Sequence, residues 1–215
     1  MSHIDRQEGI RLLETTKLVA IVRGLPKRLA LPFTQALYDA GVKVLEFTMN
    51  SGDAAEIIEE VQARFGKVMW IGAGTVTDME TAVAAKQAGA SFFVSPNVDE
   101  DVIRFANEQG IAMIGGAMTP TEIVKAHRAG SAYVKVFPCG SLGTSYFKEL
   151  QGPLSHIPMI AVGGVTMSNA REYLQAGAAA LGVGSSLINM KAAIEGDFHA
   201  VRQQAQAFVQ TVRID

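Results

Sequence analysis

Lys135 stands inside an apolar run, Tyr133-Val134-Lys135-Val136-Phe137-Pro138, with a valine on either side. A buried ammonium is costly unless it is paired or neutralised. Desolvation lowers its pKa and makes the amine a usable nucleophile toward a carbonyl. Glu46 is set the same way in Val44-Leu45-Glu46-Phe47-Thr48-Met49-Asn50. A carboxyl and an amine projecting into one cavity either move protons together or form a structural ion pair. Arg23, at the end of Ile21-Val22-Arg23-Gly24, suits a two-pronged grip on a carboxylate, or is a surface arginine at a strand end. Thr75 closes Gly72-Ala73-Gly74-Thr75 and can bond a ligand, orient Glu46 or bond its own loop.

Two glycine-bearing runs point to a different ligand group. They are Ile160-Ala161-Val162-Gly163-Gly164-Val165 and Gly182-Val183-Gly184-Ser185-Ser186. Glycines let backbone N–H groups approach an anion, and a short helix after them would add its positive end. The alternative is that both runs are merely tight turns. His3, His127, His156 and His199 are scattered without ligand spacing, so the sequence predicts no metal and no other cofactor. Cys139, after Pro138, reads as a small packed residue.

Short apolar runs must position these groups. They are Leu18–Val22, Val44–Thr48, Val68–Ile71, Phe92–Ser95, Ala112–Ile114, Tyr133–Phe137, Met159–Val162 and Ala180–Val183. Their starts are roughly 20–26 residues apart, and most are long enough only for strands. Segments with helical spacing lie between them. Those over Leu29–Ala40, Ala54–Phe65, Ala82–Ala88, Val102–Asn107, Ile123–Ala129 and Tyr173–Ala176 stop at or shortly before a glycine, the expected cap. Ile4–Thr15 predicts an extra helix before the first strand, and Phe198–Val212 the last outer one. Strands alternating with helices imply a parallel sheet, and eight units can close into a (β/α)₈ TIM barrel. An open doubly wound sheet is the alternative. No linker or second domain interrupts residues 1–215, so one barrel domain is expected over that range.

In such a barrel alternate strand residues point inward and chemistry sits at the C-terminal strand ends. If Leu45 and Phe47 face the helices, then Glu46, Thr48 and Asn50 face the axis. If Val134 and Val136 face the helices, Lys135 faces the axis. Lys17, Lys43 and Lys67 precede strands and belong to the opposite end. The loops after strands seven and eight are the usual phosphate cradle.

Composition narrows the class. Hydrophobic residues make up 48%, against disorder, and net charge is −2, so nothing supports nucleic-acid binding. The polar start Met1-Ser2-His3 lacks the apolar core of a signal peptide, and no apolar run reaches the roughly 18 residues of a membrane span. With one cysteine, these features predict a cytoplasmic setting.

The runs Val44-Leu45-Glu46-Phe47-Thr48, Gly72-Ala73-Gly74-Thr75-Val76, Ser95-Pro96, Val134-Lys135-Val136-Phe137-Pro138 and Gly163-Gly164 together resemble the 2-keto-3-deoxy-6-phosphogluconate aldolase family. That family includes 4-hydroxy-2-oxoglutarate aldolases and 6-phosphogalactonate-type enzymes. The resemblance covers essentially the whole chain, in order. It implies a class I aldolase with Lys135 as Schiff-base lysine and Glu46 as general acid/base. It also implies that Arg23 and Thr75 hold the pyruvate moiety and that Pro96 shapes the pocket. Gly163, Gly164, Gly184 and Ser185 look like the phosphate site. The implied reaction cleaves a phosphorylated keto acid, 2-keto-3-deoxy-6-phosphogluconate, to pyruvate and glyceraldehyde 3-phosphate. The implied assembly is a homotrimer.

Two positions depart from the phosphogluconate pattern. Asn50 stands where that branch usually has arginine, and Val162 where it has threonine. Both, with Arg23-Gly24, look more like the phosphogalactonate branch. Asn50 then replaces one carboxylate clamp and leaves the load on Arg23. The C4 preference stays open between the two epimers and 4-hydroxy-2-oxoglutarate. Two other classes compete: a phosphosugar isomerase or epimerase with Glu46 as base, and a non-catalytic phosphometabolite-binding protein.

Overall fold

The computed structural model describes residues 3–213. Met1 and Ser2, where the polar start was read, and Ile214 and Asp215, the far end of the expected domain, lie outside the described residues. Helix α1 (Arg6–Thr16) precedes eight β/α units. The strands are β1 (Leu18–Val22), β2 (Val44–Thr48), β3 (Trp70–Gly74), β4 (Phe92–Val94), β5 (Ala112–Ala117), β6 (Tyr133–Val136), β7 (Met159–Val162) and β8 (Ala180–Val183). The helices between and after them are α2 (Ala30–Asp39), α3 (Ala54–Phe65), α4 (Met79–Gln87), α5 (Glu100–Glu108), α6 (Pro120–Arg128), α7 (Gly143–Leu154), α8 (Ala170–Gln175), α9 (Met190–Ile194) and α10 (Phe198–Val212). Each strand pairs in parallel with the next, and β8 pairs with β1, closing a (β/α)₈ barrel. Among the described residues no helix is long and apolar enough to cross a membrane.

Strand alternation divides the core in two. Leu45, Phe47, Ile71, Ala73, Val134 and Val136 join the large cluster between barrel and helices. Val19, Val44, Trp70, Phe92, Ile114, Tyr133 and Ile160 fill the barrel interior. That is the inward register expected for Glu46, Thr48 and Lys135. Helix α1 closes the N-terminal end, with Leu13 in the interior cluster. Gly9 lets it seat there, because a Cβ would fall 2.1 Å from the Trp70 ring. Asp5 caps the helix by accepting from the Glu8 N–H at 2.9 Å.

The structure corrects several boundaries. The third strand is Trp70–Gly74, not Val68–Ile71. Val68 is 43% exposed. The Val68 and Met69 N–H groups both bond back to Phe65 O, so these residues finish the turn after α3. Strand β5 likewise runs on through Gly115 and Gly116 to Ala117. Glycines hide strand ends because their intrinsic strand preference is low. Helix α7 had no counterpart in the sequence reading, since Gly143, Gly152 and Pro153 mask it. Gly41, Gly89, Gly110, Gly130 and Gly177 adopt the left-handed conformation expected beyond helices, but Gly66 stays right-handed at φ −61°.

Candidate active site

The C-terminal strand ends gather the charged residues. Lys135 is 8% exposed and Glu46 2%. Glu46 pairs in register with Ile21 on one side and Gly72 on the other, and Lys135 with Gly116 and Ile160. Around the closed barrel β2 and β6 are four strands apart, so the two side chains face one another across the axis. The structural ion pair that the sequence allowed as an alternative does not form. Among the described residues the ion pairs within 4.0 Å are Lys27–Glu56, Arg104–Asp101 and Lys125–Glu100, all on the surface. Each still feels the other's charge.

Each charge is therefore left in an apolar setting. The Glu46 Oε2 atom is buried with no hydrogen-bond partner. Ile21, Val94, Ile114, Ile160 and Val162 line the cavity with it. Desolvation pushes its pKa from 4.5 up to about 7, against the opposing pull of Lys135 and Arg23. Desolvation also lowers the Lys135 pKa; Glu46 works the other way and Arg23 adds to the lowering. The Lys135 Nζ atom lies 4.7 Å from the centroid of the Phe137 ring. An amine eased toward neutrality and a carboxyl poised near pH 7 can attack a carbonyl and shuttle protons.

Arg23, Asn50 and Thr75 meet at the rim. Arg23 Nη1 donates to Asn50 Oδ1 at 2.8 Å, and Nη2 to Thr75 Oγ1 at 3.5 Å. Thr75 holds a left-handed backbone, φ 59°, uncommon for a β-branched residue. Sequence reasoning missed Ser51 beside them. Its Oγ accepts from the Gly24 N–H at 3.0 Å and shares a hydrogen bond with Thr48 Oγ1 at 3.2 Å, tying the first two loops together. Its place next to Asn50 was the only available signal.

Pro96 is half-buried just after β4, against Gly116 of β5. Its main chain fills the space where a Gly116 side chain would be, since a Cβ there would come within 2.3 Å of Pro96 C. Ser95 Oγ, fully buried, donates to Asn97 O at 2.6 Å and accepts from the Gly116 N–H at 3.3 Å. Burial pushes the Cys139 thiol up to about 11, and its Sγ contacts Val136 O, in keeping with a packed residue.

Gly163 and Gly164 have φ of 88° and 72°, conformations open to glycine. Asn169, also missed, donates from Nδ2 to Gly164 O at 3.0 Å and accepts from the Thr166 N–H at 2.8 Å. Gly184 begins a turn in which the Leu187 and Ile188 N–H groups both donate to its carbonyl at 2.9 Å. Ser185 beside it is exposed. The short helix expected after each run is present but begins only after an intervening turn: α8 at Ala170 and α9 at Met190. Turns fill both places.

This arrangement has known counterparts. The chain matches the family of KDPG and KHG aldolases over residues 10–204. It belongs to that family. The 2-dehydro-3-deoxy-6-phosphogalactonate aldolase of Escherichia coli (strain K12) is 36% identical over 197 residues, covering 91% of this chain and 94% of its own. A 2-dehydro-3-deoxy-phosphogluconate aldolase of Treponema pallidum (strain Nichols) is 30% identical over 203 residues, covering 94% of this chain and 96% of its own. A solved structure described as native KDPGal superposes with a TM-score of 0.85 at 36% identity, covering 90% of this chain and 93% of that one. As an aldolase of this family the protein is a carbon–carbon lyase.

Proposed function

We propose that the protein is a Schiff-base aldolase that releases pyruvate from a 6-phosphorylated 2-keto-3-deoxy sugar acid. The observation that carries this reading is one buried lysine facing one buried, unpartnered carboxyl across the barrel mouth. Neutral Lys135 adds to the C2 carbonyl, and loss of water with proton transfer through Glu46 gives the iminium. Glu46 then takes the C4 hydroxyl proton, the C3–C4 bond breaks, and the iminium accepts the electron pair as an enamine. Protonation and hydrolysis return the amine and release pyruvate, the aldehyde phosphate having left. Arg23, Thr75 and Asn50 receive the carboxylate end, and Pro96 walls the pocket. Gly163, Gly164, Gly184 and Ser185 receive the phosphate. Neither the isomerase nor the binding-protein reading uses a desolvated lysine as a nucleophile.

The galactonate epimer is favoured as substrate, because two relatives at 36% identity are named for it and Val162 offers no hydroxyl near the glycine pair. The gluconate epimer, whose products would be pyruvate and glyceraldehyde 3-phosphate, is the second reading, supported by the Treponema relative. The homotrimer and the cytoplasmic setting rest on the sequence resemblance and on a single, buried cysteine; sedimentation would test the first.

The test is incubation with pyruvate and borohydride, followed by peptide mass spectrometry. A reduced pyruvyl adduct on Lys135, absent from Lys135→Ala, is expected. Folded protein at saturating pyruvate with no adduct would overturn the Schiff-base reading. Comparing kcat/KM for the two epimers then assigns the substrate.

A further inference from the structure

Glu46 does not lie over its own register partner. It leans along the sheet toward the rim, and its carboxyl group ends over Gly74, the last residue of β3. A Cβ on Gly74 would fall 2.8 Å from the Glu46 carboxyl carbon, 2.8 Å from Oε1 and 3.2 Å from Oε2. An unstrained contact between such atoms needs roughly 3.5–4.0 Å. We infer that Gly74 is a positioning residue whose missing side chain is the berth of the Glu46 carboxyl group. This rests on the aldolase reading for its catalytic consequence, but not for its geometry.

The other inward glycines serve different neighbours. A Cβ on Gly72 would come within 2.5 Å of the Phe92 ring, and one on Gly116 within 2.3 Å of Pro96 main chain. Neither neighbour can step aside without disturbing the barrel, so those glycines are needed for packing. Over Gly74 the obstacle is the far end of a flexible side chain, which can move at small cost to the fold. Gly74 also lacks the left-handed backbone that would bar alanine, since positive φ occurs elsewhere, including at its neighbour Thr75. Gly74→Ala therefore leaves the barrel folded and displaces the carboxyl by something under 1 Å. A carboxyl lifted off this apolar berth is less fully desolvated, so its pKa falls back toward the ordinary carboxylate range. A misplacement of about 1 Å in a reacting group costs on the order of 100-fold in rate.

The experiment is a double-mutant cycle read alongside a titration. Gly74→Ala is expected to lower kcat about 100-fold in the Glu46 background and by no more than a few-fold in Glu46→Gln, where the carboxylate is already gone. Borohydride should still trap pyruvate on Lys135 in Gly74→Ala, showing the lysine side intact. The titration uses ¹³C-glutamate NMR and needs no turnover. The Glu46 carboxyl, near 7 in the parent protein, should titrate at lower pH in Gly74→Ala. Gly72→Ala is the structural control: it should lower the melting temperature and leave the Glu46 midpoint in place. Equal losses of kcat in both backgrounds, or an unmoved Glu46 midpoint, would overturn the berth. If the parent protein itself neither traps nor releases pyruvate, the aldolase reading fails, while the titration still decides the role of Gly74.

Discussion

The two ends of the barrel use the same inward register for opposite purposes. At the N-terminal end α1 presses Gly9 onto Trp70, and Trp70 lies against Phe92 with ring centroids 4.3 Å apart. Gly72 makes room for the Phe92 ring. At the C-terminal end Gly74 makes room for a carboxyl, and Lys135 and Glu46 lie buried without pairing. The lower end has an orphan too, the Trp70 Nε1–H, but that group is neutral and its desolvation costs far less than that of a charge. Inward glycines thus serve packing at Gly72 and at Gly116, whereas the one at Gly74 faces a carboxyl group. Stability is concentrated at one end and chemistry at the other, so substitutions at the two ends should separate the two properties.

Glu46→Gln gives the largest expected effect. On the proposed mechanism it removes the proton shuttle and should lower kcat by about 10²–10⁴-fold, with a smaller change in KM. It should also stabilise the fold, and the pH dependence gives the sign. The folded-state pKa is raised from 4.5 to about 7, so the folded protein holds this proton more tightly than the unfolded chain does. The cost of burying the charge is absent below about pH 4.5, grows through the interval and is complete above about pH 7. The amide still lacks a partner, so the gain should be roughly 1–3 kcal/mol at pH 8 and close to nothing at pH 4. Denaturant unfolding at the two pH values measures it. A loss of stability at pH 8 would mean that the top of the barrel is not strained as described.

Trp70→Ala tests the other end. Deleting a fully buried aromatic from a packed core costs about 3–5 kcal/mol. The protein that remains folded should keep its kcat within about twofold, since Trp70 lies at the opposite strand end from Lys135. Thermal unfolding and initial rates below the transition make the measurement. A parallel fall in kcat would show that the ends are coupled.

These contrasts were unevenly legible in the sequence. Val44–Thr48 reads as a strand to the residue, because apolar and polar positions alternate from Leu45 to Thr48 within a short run. Lys135 is conspicuous because a charge between two valines in a parallel strand has few structural uses. The third strand slipped because an apolar pattern does not distinguish the turn at Val68 from the strand at Trp70, and glycine at positions 72 and 74 looks like a turn. What local pattern could not supply is distance across the fold. That Glu46 and Lys135 form no ion pair depends on how the barrel closes, and the berth at Gly74 on a neighbouring strand. The Ser51 bridge to Gly24 joins residues 27 apart in the chain. The carboxyl and the amine could be named as chemistry before the fold was known. The residues that seat and tie them are defined only by contact.

The smallest expected effect lies at the rim, where ends and charges no longer compete. Arg23 is exposed, and its Nη1 is held by Asn50 Oδ1 at 2.8 Å. An exposed hydrogen bond adds little to folding, so Asn50→Ala should leave the melting temperature within about 1 °C, as surface substitutions usually do. On the proposed reading this bond holds the guanidinium in place for the substrate carboxylate. Losing one such bond to a charged group costs about 1 kcal/mol, so KM should rise roughly fivefold with kcat nearly unchanged. Asn50→Asp separates aim from charge. The carboxylate would hold Arg23 more firmly but would neutralise it, so KM for an anionic substrate should rise further despite the stronger grip. If Asn50→Asp instead restored the parent KM, aim alone would matter. If Asn50→Ala lowered kcat as much as it raised KM, Asn50 would be touching the reacting atoms, and the boundary between rim and reactive centre would have to move inward.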